Sequence, residues 1–145
     1  ERIAAGELEP DFGPPELHPT AGAALVAARP PLVAFNVELA EGATLEDARR
    51  IAAAIRDGGP EGLPGLRAIG LRLDRQDGMI QASTNVEEHR AVPLAAVVEA
   101  VARHHPVAGA ELVGLAPEAA FDGFPEDVPV RGRRTLEEAL EGLSS

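Results

Sequence analysis

Ile69-Gly70-Leu71-Arg72-Leu73-Asp74, then Arg75-Gln76-Asp77-Gly78, then Met79-Ile80-Gln81-Ala82-Ser83-Thr84-Asn85-Val86 reads as two alternating runs folded about an Asp-Gly turn. Helical periodicity flanks this hairpin on both sides, and that decides the fold. Upstream, Thr44 offers an N-cap, and Leu45, Ala48, Ile51, Ala52 and Ile55 recur at helical spacing until Asp57-Gly58-Gly59-Pro60 stops them. Downstream, Pro93 suits the first turn of a second helix with the apolar stripe Leu94, Val97, Val98 and Val101, ending at His104 to Pro106.

A strand precedes the first helix and another follows the second. From Leu32 to Leu39, Val33, Phe35, Val37 and Leu39 alternate with Ala34, Asn36 and Glu38. Ala110, Leu112 and Gly114 alternate with Glu111, Val113 and Leu115. The order β-α-β-β-α-β predicts an α+β, ferredoxin-like split β-α-β sandwich: a four-stranded antiparallel sheet, first and third strands central, with two helices on one face. The opposite face is free.

Residues 1–31 form a Pro/Gly-rich lead-in whose prolines forbid a long helix. Residues 32–116 carry the α/β unit. Residues 117–145 form a tail with the basic cluster Arg131, Arg133 and Arg134, then Thr135-Leu136-Glu137-Glu138, a capping box opening a short helix. The tail is expected to pack on the domain or on a partner. With 145 residues, one ordinary core is the expectation. The first residue is Glu1 rather than Met, so the chain is expected to be a piece of something longer.

The formal charge of −11 argues against nucleic acid, because phosphate binding needs clustered cations that release counterions. All 13 basic residues are Arg, a bias that a GC-rich genome explains without invoking function. The absence of Cys excludes disulfides, thiol catalysis and Cys-ligated zinc. No stretch approaches the roughly 20 apolar residues of a membrane span, so no membrane association and a cytoplasmic location are expected.

The strand phases put Asn36, Gln81, Ser83 and Asn85 side by side on the uncovered face, flanked by Arg72. Uncharged hydrogen-bonding groups on adjacent central strands are what a polar heterocycle needs, since each donates and accepts in a fixed direction. A face that is merely solvated, or covered by another domain, is the competing reading. No catalytic constellation emerges. His18 lies in the lead-in, His89 follows two Glu, and His104 and His105 are adjacent, so no metal-binding spacing appears and no metal is expected. The Gly58–Gly62 loop lacks the Lys and Ser or Thr of a phosphate loop.

Three stretches together resemble the C-terminal subdomain of the glutamate formimidoyltransferases, the folate-dependent formiminotransferase family. They are Asp11-Phe12-Gly13-Pro14 running through His18-Pro19-Thr20-Ala21-Gly22 to Ala28-Arg29; Leu32 to Leu39; and Gln81-Ala82-Ser83-Thr84-Asn85 with Glu111-Leu112-Val113-Gly114-Leu115. The resemblance covers roughly residues 10 to 120. It implies transfer of a formimidoyl group from N-formimidoyl-glutamate to tetrahydrofolate, the co-substrate, in histidine breakdown, with folate lying in a cleft between two similar subdomains. The family's folate loop matches Gly13 to Gly22 and so brings in Gly13, Pro14, His18 and Gly22. Asn36, Gln81, Ser83 and Asn85 would face the pterin, and Arg29, with Arg72 second, would hold the glutamate tail.

The family's catalytic histidine belongs to an N-terminal subdomain absent from these residues, so no histidine here inherits that role. The partners implied are that subdomain, folate, formimidoyl-glutamate and a second copy in a homodimer. A related transferase using N-formyl-glutamate would look the same. Two other classes compete: a stand-alone module holding a small anionic metabolite, and a scaffold or interaction domain.

Overall fold

The computed structural model describes residues 2–28, 31–74 and 78–143. In chain order the elements are β1 (Val33–Leu39), α1 (Leu45–Ile55), β2 (Leu66–Leu73), β3 (Met79–Val86), α2 (Leu94–Ala102), β4 (Val107–Val113), a 3-10 turn (Glu118–Phe121), β5 (Val130–Arg131) and α3 (Leu136–Glu141). The helices start where local chemistry starts them. Thr44 and Thr135 each accept from the backbone N–H three residues on, while Asp47 and Glu138 return the bond to the cap, closing two capping boxes. Pro93 caps α2 without a side-chain bond.

The strands lie in the order β2-β3-β1-β4-β5. β1 is central and antiparallel to both β3 and β4, and β2 is antiparallel to β3. The four antiparallel strands expected from sequence are present, but the sheet is five-stranded and mixed, because β5 pairs in parallel with β4. After the 3-10 turn the chain returns along the free edge of β4, where the Ala110 N–H donates to Pro129 O at 2.8 Å. A two-residue strand has no periodicity to read. It exists because an open edge accepted it.

The core lies between the sheet and α1 and α2. Phe35, Ile51, Ile55, Leu66, Leu94 and Val97 are all fully buried, each contributing about 1.5–3 kcal/mol of transfer free energy. The residues after Pro117 continue this core: Phe121 is buried, and Phe124 meets the Phe35 ring edge-on at 6.0 Å between centroids. Arg133 lies over the Phe121 ring at 4.5 Å.

β2 departs from its expected phase. Leu66 and Ala68 are buried whereas Ile69 is 59% exposed, so Leu66, Ala68, Gly70 and Arg72 take the helix side and Arg67, Ile69, Leu71 and Leu73 the open side. Arg72 therefore does not flank the polar stripe. It pairs in register with Ile80, which packs against the core. Gly70 is the cause: a Cβ there would stand 2.3 Å from the Arg49 backbone nitrogen, so only the hydrogen of glycine lets α1 approach. The hairpin closes with the Gly78 N–H donating to Leu73 O, although Asp77 of the expected turn lies outside the described residues.

Candidate functional site

On the face away from α1 and α2, register aligns side chains into rows that run across the strands. The middle row is Ile69, Ser83, Asn36, Glu111 and Arg131, one from each of β2, β3, β1, β4 and β5. Beside it on one flank run Leu71, Gln81, Glu38 and Gly109, and on the other Arg67, Asn85, Ala34 and Val113. A slip of one residue in β1 or β3 would have scattered these groups to both faces. Asn36, Gln81, Ser83 and Asn85 are thus brought together on one surface.

The charged end of the middle row is a network. Asn36 Nδ2 donates to Glu111 Oε2 at 3.0 Å, Arg131 Nε donates to Glu111 Oε1 at 3.2 Å, and Arg131 Nη2 donates to Glu38 Oε1 at 2.8 Å. Desolvation is the largest single influence on the Glu111 carboxyl and pushes its pKa up. The bonds from Asn36 and Arg131 and the charge of Arg131 together outweigh it, so the pKa lies below the ordinary value. Glu111 is accordingly ionised at neutral pH and can only accept hydrogen bonds. The same contacts raise the pKa of Arg131, the bond to Glu111 first.

Two amides in these rows are more than nine-tenths buried. Asn36 is 8% exposed and Gln81 is 2% exposed, and the Gln81 Oε1 is buried with no hydrogen-bond partner. An orphaned carbonyl of this kind costs about 1–3 kcal/mol unless something binds it. Ser83 and Asn85 are half-buried. The face also exposes two apolar side chains, Ile69 on the β2 edge and Val113 on β4.

The lead-in residues are placed differently. Gly13 and Gly22 adopt left-handed φ of 94° and 68°, and His18 Nδ1 accepts from the N–H groups of Thr20 and Ala21 at 3.3 and 3.1 Å. The ring thereby fixes a compact turn from His18 to Gly22, closed by the Gly22 N–H to His18 O. Gly13, Pro14, His18 and Gly22 are all exposed, and the hydrogen bonds found for residues 2–28 close within that segment. Among the described residues no hydrogen bond ties them to the sheet face. Arg29 lies outside the described residues.

Sequence reasoning did not single out Glu38, Glu111 or Arg131 as members of this network. For the two Glu the signal was present, since both fall on the outward phase of their strands with Asn36. For Arg131 it was not, because 93 residues separate it from Glu38. His104 and His105 sit just beyond α2 and His89 between β3 and α2, so none lies on the strands that carry the amides. Among the described residues no three His, Asp or Glu are grouped to hold a metal ion, and no helix is long and apolar enough to cross a membrane.

Comparison with known proteins places the chain in a family. The chain is 38% identical over 131 residues to formimidoyltransferase-cyclodeaminase of Gallus gallus, an alignment covering 83% of the chain and 24% of that protein. It is 37% identical over 126 residues to glutamate formimidoyltransferase of Streptococcus pyogenes serotype M1, with 83% of the chain and 41% of that protein covered. The enzyme of that name from Thermoplasma acidophilum is 37% identical over 129 residues, with 83% and 40% covered. The chain thus spans between about a quarter and two-fifths of the length of these relatives. Residues 34–123, which hold almost all of β1 to β4 and the amides between them, match the formiminotransferase domain, and the chain belongs to that family.

Proposed function

We propose that this chain is the folate-binding C-terminal part of a transferase that moves a formimidoyl group from N-formimidoyl-glutamate to tetrahydrofolate. The observation that carries the reading is the coincidence of two facts. The strands matched by the family bear the amide stripe, and the stripe holds a buried, unpartnered carbonyl at Gln81. A pterin carries both N–H donors and ring acceptors, and Gln81, Ser83, Asn85 and the free Oδ1 of Asn36 offer complements to them. Tetrahydrofolate therefore fits the groups present.

In the reaction, N5 of tetrahydrofolate attacks the formimidoyl carbon and a C–N bond forms. The tetrahedral adduct then collapses as the bond to the glutamate nitrogen breaks, and the proton lost from N5 goes to that nitrogen. The products are 5-formimidoyl-tetrahydrofolate and glutamate. The reading assigns proton transfer to the N-terminal subdomain, and this chain's task is binding and orientation. Gly13 to Gly22 and Arg29 belong to the folate site in this reading, with Arg29 holding the glutamate tail. A cytosolic homodimer is part of it too.

Calorimetric titration with a stable reduced folate tests it, first on the 145-residue chain and then after adding a separately expressed N-terminal half. Binding that appears or tightens with the second half is the expected result. No heat in either case would replace the transferase with a regulatory or interaction module.

A further inference from the structure

We propose that Glu38 and Glu111 form the subsite that recognises the donor's formimidoyl group as a planar cation, and that this pair sets the preference for formimidoyl over formyl donors. The inference rests on the transferase reading and names the donor end of the same site.

The two donor types differ in charge and in hydrogen-bonding sense. An N-formimidoyl amine is a formamidine: planar, basic enough to be a cation at neutral pH, and able to offer N–H groups. Its N-formyl counterpart is a neutral amide whose carbonyl accepts. A surface that separates them must present acceptors and a negative charge.

This part of the face does both. Arg131, the chain's own planar N–H cation, already spans the two carboxylates, and it uses only Oε1 of each. Among the described residues, these two carboxylates share one guanidinium, which leaves one negative charge on this part of the surface. Glu111 Oε2 takes the Asn36 donor. Glu38 Oε2 has no partner among the described residues, and opposite it stands Gly109, where even a Cβ would lie 3.5 Å from that oxygen.

The amides point to the same ligand independently. Glu111 can only accept, so the Nδ2 of Asn36 is committed to it and Oδ1 is left as an acceptor. Gln81, directly across from Glu38 in register, holds a second unfilled acceptor, Oε1, on a side chain that is 2% exposed. Next to the carboxylates, Gln81 Oε1 and Asn36 Oδ1 are thus unfilled acceptors, each with two lone pairs and so able to meet the donor group as well as an adjoining pterin. The charge beside them is negative. A group that offers N–H donors and one positive charge satisfies both.

The test uses the complete transferase polypeptide that carries these residues, as wild type, Glu38→Gln and Glu111→Gln. Glutamine keeps the shape and removes the charge. Each variant is expected to raise KM for N-formimidoyl-glutamate at least tenfold while the inhibition constant of N-formyl-glutamate stays within twofold, and Glu38→Gln is expected to leave the Kd for a reduced folate within twofold. The formamidinium ion, as a probe, should compete with the donor in the wild type and lose at least tenfold in potency in both variants. Equal changes for both donors, or a loss that falls on folate instead, would overturn the subsite while leaving the transferase reading intact. If Glu111→Gln does not fold, Glu38→Gln decides the matter, since among the described residues the Glu38 side chain bonds to Arg131 alone. A wild type with neither folate binding nor transfer overturns the transferase reading, and the subsite with it.

Discussion

Asn36 and Glu111 face each other across β1 and β4 as register partners, and the 3.0 Å bond between them fixes which end of the Asn36 amide is left for a ligand. Replacing Asn36 with Ala removes that acceptor and leaves Glu111 with only Arg131. The expected result is a loss of about 1–2 kcal/mol in reduced-folate affinity for the reconstituted protein, roughly five- to thirtyfold in Kd. Calorimetry on wild type and variant reads it directly, and equal affinities would remove Asn36 from the site.

Arg131 holds Glu111 below its ordinary pKa, by its hydrogen bond and by its charge. In Arg131→Gln the Glu111 carboxyl is expected to titrate at higher pH, closer to the ordinary glutamate value. Carboxyl-carbon NMR during an acid titration measures this. The effect on folding should be small, under about 1 kcal/mol, because the Arg131 side chain is 46% exposed.

Asp47 titrates at about 2, against an ordinary 3.8, chiefly because it accepts from the Thr44 hydroxyl and backbone N–H. A depressed carboxylate stabilises the fold fully above its unfolded value, and that contribution is lost as pH falls through the folded value. The window here is from about pH 4 down to about pH 2. Denaturant melts across it should show a shallower loss of stability for Asp47→Asn than for wild type. Identical slopes would mean that the capping box does not contribute.

Gly70→Ala pushes a methyl into the backbone of α1, 2.3 Å from Arg49 N and 2.4 Å from Ala48 C. Neither contact is a flexible side-chain end that can move aside. Overpacking of this kind costs about 1–3 kcal/mol or more, and chemical denaturation should show it as a lower midpoint. A variant within about 0.5 kcal/mol of wild type would mean that α1 does not sit where described.

Removing residues 117–145 takes away Phe121, Phe124, β5 and Arg131 together. The exposed edge of Phe35 and the reopened edge of β4 should cost the domain at least about 3 kcal/mol. Thermal melting of the truncated chain checks it. A cooperative transition at the wild-type temperature would make the tail dispensable.

What the sequence determined by itself are the features governed by neighbours in the chain. Alternation set the faces of β1, β3 and β4, so Asn36, Gln81, Ser83 and Asn85 were legible as one surface. Thr44, Pro93 and Thr135 marked helix starts because caps are interactions over three residues. Only tertiary structure decided the phase of β2, since the alternation of Ile69, Leu71 and Leu73 is the same read from either face, and the close approach of α1 to Gly70 chose between them. It also decided β5 and the joining of Arg131 to Glu38 and Glu111. Those contacts connect residues far apart in sequence, and they form because the β4 edge and the half-buried carboxylates needed partners that nothing local could supply.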